Sequence, residues 1–152
     1  MKRFEKSTLI KCTAEELFDF HTNTNNLTKI TPPDIKVKLL TPDFKAQEGE
    51  ILKLKSIKNY IPINWTVKIS KSQRPLKIVD TALKSPFKYW EHQHIFIQHE
   101  KFTELKDVVN YEMPFGIIGE FLEPFVYSDL LKMFEFRHEV TKKILENKED
   151  IS

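Results

Sequence analysis

Apolar and polar positions alternate between residues 35 and 113, and turn-forming residues interrupt the alternation at hairpin intervals. A period of two is typical of antiparallel strands that bury one face of a sheet. The inward side is clearest at Ile63, Trp65, Val67 and Ile69. The pattern predicts strands at 35–41, 50–58, 62–70, 76–84, 89–98 and 103–113, and a weaker alternation at 4–10 adds a seventh.

Residues 120–147 follow a helical period instead. No glycine occurs from Leu122 to Asn147, and the single proline, Pro124, is expected in the first turn, where its missing N–H costs nothing. One apolar face is formed at spacings of three and four by Val126, Leu130, Met133, Phe134, Val140, Ile144 and Leu145. Arg137 interrupts this face. Its guanidinium either extends to water or points into a space that favours a cation.

Two short helices are predicted after the first strand. Thr13 and Glu16 have the spacing of a capping box. In it the Thr13 hydroxyl accepts a hydrogen bond from the Glu16 N–H, and the Glu16 side chain accepts one from the Thr13 N–H. The cluster Asn23-Thr24-Asn25-Asn26 ends this helix and begins a second short turn with Leu27 and Ile30, which stops at Thr31-Pro32-Pro33.

This order of elements predicts an α+β fold within a single domain, 1–152. A seven-stranded antiparallel sheet curls as it twists, and a terminal helix of about 26 residues spans about 39 Å, enough to lie along its concave face. We therefore expect a helix-grip arrangement. A gap between a curved sheet and a straight helix is the default position for a ligand.

Composition narrows the classes of partner. Twelve Phe, four Tyr and two Trp suit a large interior, either hollow or filled by rings. The net charge is +2 and lysines are scattered among acids, which argues against a nucleic-acid partner. The lone Cys12 excludes an internal disulfide and a cysteine-based zinc cluster.

The ends and the hydropathy of the chain point to the cytoplasm. The N-terminus lacks the apolar stretch of a signal peptide, and no apolar run approaches the eighteen or so residues of a membrane span. Residues 148–152 are expected to form a frayed polar tail.

The residues also resemble a known family. The resemblance is carried by Phe18-x-Phe20-His21, Asn26-Leu27, Thr31-Pro32-Pro33, Ser85-Pro86-Phe87-Lys88-x-Trp90-x-His92-x-His94-x-Phe96, Asp107-x-Val109-x-Tyr111-x-x-Pro114-x-Gly116 and Phe134-x-x-Arg137. These segments are similar to the SRPBCC (START-like, Bet v 1-like) ligand-binding superfamily, and to its bacterial cyclase/dehydrase-type members, over residues 3–146. The resemblance implies a helix-grip fold with a hydrophobic cavity, and it implies no catalytic residue.

Candidate chemistry lies on the strand 89–98. Trp90, His92, His94 and Phe96 share one face of that strand, because side chains alternate along it. If this face is inward, it lies near Asp107 and Tyr111 of the next strand and near Arg137 of the helix.

Three interpretations of this constellation remain open. It is a structural network that satisfies Asp107, an anchor for the polar or anionic end of an amphipathic molecule, or a metal or acid–base site. Arg137 would repel a cation, so no metal is expected. No cofactor is expected either. We expect His21 to cap or to pack in the core, His99 and His138 to lie at a turn and on the solvent side, and Cys12 to be buried and unreactive.

The sequence thus predicts a protein that binds a small hydrophobic or amphipathic molecule. Polar contacts are expected from His92, His94, Asp107, Tyr111 and Arg137, and apolar walls from Trp65, Trp90, Phe96, Met113, Leu130 and Phe134. Two alternatives stay open. One is a cyclase or dehydratase acting on an aromatic or polyketide-like substrate, and the other is a partner-binding module with a filled interior.

Overall fold

The computed structural model describes residues 1–147 and contains one seven-stranded antiparallel sheet. The strands lie in the order β1-β7-β6-β5-β4-β3-β2. Their bounds are β1 Lys2–Ile10, β2 Ile35–Leu39, β3 Ile51–Lys58, β4 Ile61–Gln73, β5 Lys77–Lys84, β6 Tyr89–Gln98 and β7 Thr103–Glu112. The seven predicted strands are therefore confirmed, although β4 continues three residues past the predicted end.

Hairpins join β2 through β7 in sequence, and β1 pairs with β7 across the chain. The register shifts twice between β4 and β5, between Thr66 and Val67 and between Ile69 and Lys71. Such irregularities increase the twist and bend of a sheet. The curvature leaves a concave face, and the terminal helix lies in it as a helix-grip fold requires.

The two short helices follow β1 as predicted. Helix α1 spans Ala14–Thr22, and the Thr13 hydroxyl accepts a hydrogen bond of 3.1 Å from the Glu16 N–H. Helix α2 spans Asn26–Lys29, and the Asn26 side chain donates to the Phe20 carbonyl at 2.8 Å. That bond fixes α2 against the end of α1.

The terminal helix, α3, spans Gly116–Glu146 and begins earlier than predicted. Pro124 lies inside the helix, so the prediction that it occupies the first turn was wrong. Phe115 caps the start in a left-handed conformation, with φ at 65°. Gly119, in the first turn of α3, lies against the chain that enters the helix, and a side chain would not fit there: an added Cβ would lie 1.8 Å from the Pro114 carbonyl oxygen.

Two apolar clusters flank the middle of the sheet. One lies beneath α1 and includes Ile10, Leu17, Phe18, Phe96 and Leu105. The other lies beneath α3 and includes Phe4, Trp90, Val109, Tyr111, Leu130 and Phe134. Along β6 and β7 the polar residues His92 and Asp107 fall between these clusters.

The outside of α3 is unusually apolar along its first half. Its exposed side chains include Ile117, Ile118, Phe121 and Phe125, and Phe115, just before the helix, is exposed as well. Even so, no helix within residues 1–147 combines the length and the apolar character that crossing a bilayer requires. The predicted tail at 148–152 lies outside the described residues.

Candidate functional site

A cavity of about 450 Å³ lies between the inner face of the sheet, the end of α1, α2 and helix α3. Most of its wall is apolar, with contributions from Leu52, Leu54, Ile63, Trp65, Val67 and Leu130. Its volume falls within the range of about 300–1,000 Å³ that is usual for small-molecule sites. At one rim Lys58 Nζ lies 3.9 Å from Asp129 Oδ2, and both side chains are exposed.

Most residues that the sequence singled out lie on this cavity. The structure brings His92, His94, Asp107, Arg137, Trp65, Trp90, Leu130 and Phe134 to its wall. Three others, Phe96, Tyr111 and Met113, do not line this cavity. Phe96 packs under α1 against Phe18, the Tyr111 hydroxyl donates to Glu123 Oε1 at 2.5 Å, and Met113 packs against the cluster beneath α3.

Asp107 is the centre of the polar end of the cavity. It is buried on the inner face of β7, where its Oδ1 accepts from His92 Nε2 at 2.7 Å and its Oδ2 from His138 Nε2 at 2.6 Å. His94 Nδ1 lies 3.1 Å from the same Oδ1, but its alignment is too poor for a hydrogen bond. His138 Nδ1 in turn contacts the Thr8 hydroxyl at 2.8 Å. The network therefore connects β1, β6, β7 and α3.

A second carboxylate, Asp80 of β5, faces the other side of the two histidines of β6. Its Oδ2 lies 3.1 Å from His94 Nε2 and 3.8 Å from His92 Nδ1. The two imidazole rings lie side by side, with their centroids 3.8 Å apart. Each ring is thus held between Asp80 and Asp107, which fixes its orientation.

The histidines of the network differ in their protonation. Burial disfavours the charged form of His94, but its contacts with Asp107 and Asp80 raise its pKa to about 9. Burial and the nearby His94 lower the pKa of His92, and they lower that of His21 to about 3. Burial acts in the opposite sense on Asp107, yet its bonds from His138 and His92 hold the pKa of this carboxyl well below its usual range. His94 is therefore an imidazolium between the carboxylates of Asp80 and Asp107.

Arg137 brings an additional cation to this end of the cavity. Its Nε is buried and has no hydrogen-bond partner among residues 1–147. The guanidinium carbon lies 5.4 Å from the centroid of the Phe134 ring, a cation–π contact that holds the side chain along the wall. Burial lowers the pKa of Arg137, but a guanidinium stays protonated at any ordinary pH. An unpartnered buried donor of this kind can bind an anionic or polar group.

Sequence reasoning missed three members of the polar end. Asp80 carries no signal in the sequence that sets it apart, and His138 is buried rather than on the solvent side as predicted. His21 Nδ1 contacts the Leu17 carbonyl within α1 at 2.9 Å, and the ring also lines the cavity beside His94. The spacing of four from Phe134 was a signal for His138, since such spacing follows one face of a helix.

Comparison of the fold with solved structures identifies its class. A START superfamily protein from Mycobacterium smegmatis superposes with a TM-score of 0.69 at 13% identity, covering 95% of this chain and 97% of its own. A protein from Chromobacterium violaceum gives a TM-score of 0.76 at 9% identity, with coverage of 95% and 96%. The chain has the START-like helix-grip fold.

The START-like fold is also shared with Ara h 8.0201, which superposes with a TM-score of 0.66 at 11% identity and covers 92% of this chain and 97% of its own. No family model and no curated protein matches the sequence. At these identities the likeness establishes the START-like fold alone, so a function has to be argued from the cavity.

The charge on His94 predicts how stability depends on pH. Its pKa is about 9 in the folded protein against 6.5 ordinarily, so its stabilising contribution is complete below pH 6.5 and is lost as the pH rises to 9. We expect the free energy of unfolding to fall over this interval by up to about 3 kcal/mol. Urea denaturation measured at closely spaced pH values checks this.

His94→Gln should remove that decline, because Gln does not titrate. His99→Gln, at an exposed turn, is the matched control and should keep it. An alkaline decline that persists unchanged in His94→Gln would contradict the assignment.

Proposed function

We propose that this protein binds a small amphipathic molecule in the cavity between the curved sheet and α3. Its apolar part would lie against the aliphatic and aromatic wall, and its polar or anionic end would lie at Arg137 and the histidines of β6. The observation that carries the proposal is the shape and polarity of the cavity: about 450 Å³ of mostly apolar space with charged groups at one end.

The unsatisfied donor on Arg137 supports the orientation of the ligand. A buried polar group without a partner costs about 1–3 kcal/mol, and an acceptor supplied by the ligand recovers that cost. Protonated His94 adds positive charge, although Asp80 and Asp107 already neutralise it. Arg137 is therefore the group that remains open to an anion. The START-like fold is compatible with this proposal, since hydrophobic ligand binding is common in the superfamily.

An aliphatic acid is the probe that matches these features. We expect the fluorescent fatty acid cis-parinaric acid to bind with one-to-one stoichiometry, with an increase in fluorescence as the polyene leaves water. Ser56→Phe adds a ring to the cavity wall and should weaken binding by about tenfold or more, since the ring removes space that the ligand requires.

Lys55→Phe is the matched control, because Lys55 is the neighbour of Ser56 on β3 and its side chain points to the opposite face. It should leave the affinity within about twofold of the wild type. Folded wild-type protein that does not take up the probe, or equal effects of the two rings, would overturn the cavity proposal. Native mass spectrometry of protein purified from its host would then show whether any molecule is retained.

Arg137→Met tests the anchor separately from the cavity. A charge-assisted hydrogen bond is worth about 1.5–3 kcal/mol, so the variant should bind cis-parinaric acid roughly 10- to 150-fold more weakly. Its affinity for the methyl ester of the same acid should not change, because the ester carries no charge. Arg137→Lys should recover part of the preference for the acid.

The ratio of the two affinities distinguishes the outcomes. Equal losses for acid and ester indicate that Arg137 shapes the wall without recognising charge. Such a result would overturn the anchor and leave the cavity as a site for neutral molecules.

The His92–Asp107 pair favours a second candidate, a cyclase or dehydratase that moves protons on a bound substrate. With Nε2–H donated to Asp107, the basic nitrogen of His92 is Nδ1, and a lowered pKa keeps the ring neutral. A neutral imidazole oriented by a carboxylate is the usual arrangement of a general base.

This candidate predicts turnover of an aromatic or polyketide-like substrate that falls by roughly 10²-fold or more in His92→Ala. The test compares kcat with the affinity for a non-reacting analogue: an enzyme loses kcat, whereas a carrier loses affinity alone. His99→Gln again serves as the control. A panel of such substrates that all bind and remain unchanged would argue against catalysis.

The third alternative, a partner-binding module, required a filled interior. The cavity argues against that condition. The exposed apolar residues on the first half of α3 remain compatible with a partner, but they do not bear on the contents of the cavity.

A further inference from the structure

We propose that Asp80, His92 and His94 form a binding site for a divalent transition-metal ion at the polar end of the cavity. The ligand atoms of these three residues lie within 4.8 Å of one another. Two imidazole nitrogens and one carboxylate oxygen are a donor set that suits Zn²⁺, Fe²⁺ or Co²⁺. This inference goes beyond ligand binding and does not depend on it.

The distances are close to those around a metal. Donor atoms bound at about 2.1 Å in a tetrahedron lie about 3.4 Å from one another. Here Asp80 Oδ2 lies 3.1 Å from His94 Nε2 and 3.8 Å from His92 Nδ1. The ion would replace the proton between Asp80 and His94, with small movements of the three side chains. All three residues line the cavity, so the remaining coordination positions would face its interior.

Asp107 supplies the outer support that metal-binding histidines commonly have. In such sites the second ring nitrogen donates to a carboxylate, which fixes the tautomer and the orientation of the ring. His92 Nε2 donates to Asp107 Oδ1 at 2.7 Å. His94 Nδ1 lies 3.1 Å from the same oxygen without a hydrogen bond, and a small rotation of the ring would complete one. The nitrogens left for the metal are then His92 Nδ1 and His94 Nε2, the same two that face Asp80.

Arg137 repels a cation, and this was the reason to expect no metal from the sequence. Asp80, which the sequence did not reveal, changes the balance. With neutral histidines, Asp80 and Asp107 carry two negative charges against the one positive charge of Arg137. A divalent ion would leave one positive charge, so an anionic ligand such as hydroxide or a carboxylate would complete the site.

The test uses full-length protein treated with a chelator and then titrated with Co²⁺. We expect one equivalent to bind and to produce the visible absorption of a four- or five-coordinate Co²⁺ ion, and Zn²⁺ should displace it. Asp80→Asn and His94→Gln should each abolish the band. Asp107→Asn should weaken binding by about 10- to 100-fold, because it removes the outer support.

His99→Gln is the control, since it removes a histidine outside the site. His99 lies on the surface, where its Nε2 is 4.0 Å from Glu104 Oε1. Circular dichroism establishes that each variant is folded. X-ray absorption of the wild-type Zn²⁺ complex, which needs no variant, should show two imidazoles. Folded wild type without a saturable cobalt band, a band retained in folded His94→Gln, or a metal without imidazole ligands would overturn the site. Uptake of cis-parinaric acid in the presence of chelator reports the cavity independently.

Discussion

The hydrogen bonds to Asp107 are the interaction on which the rest of the structure depends. A carboxylate in the middle of an inner sheet face is costly unless it is fully paired, and breaking such a pair costs about 3–5 kcal/mol. Here the pairing comes from His92 on the adjacent strand and His138 on the helix. Satisfying one charge therefore fixes where α3 lies over the sheet, and it also fixes the polar end of the cavity.

This arrangement separates the interior into regions with different roles. Apolar clusters beneath α1 and beneath α3 are packed, whereas the space between them is open. The charged groups collect at one boundary of that space, where Asp80 and Arg137 join the network around Asp107. The proposed ligand contact, proton transfer and metal site would all use this boundary, because they involve one set of side chains.

The fold could be predicted because two periods, one of strands and one of helices, dominate the sequence. Which of the inward-facing residues reach the cavity could not be predicted. The alternation indicates that Phe96 and Tyr111 face inward, and they do. However, α1 covers Phe96 and α3 covers Tyr111. Asp80 follows two adjacent apolar residues, Ile78 and Val79, so its side of the strand was ambiguous. The buried centre line of α3 includes polar residues, His138 among them, and a search for apolar positions alone passes over them.

The rim of the cavity has a kinetic consequence. Lys58 and Asp129 connect the end of β3 to α3 there, and an exposed ion pair of this kind is worth about 1 kcal/mol or less. Parting it would add little to the barrier for entry or escape, and salt would reduce even that contribution. The residence time of a ligand would then be set by its contacts inside the cavity. Exchange would be fast for molecules without a polar group that binds at the charged end.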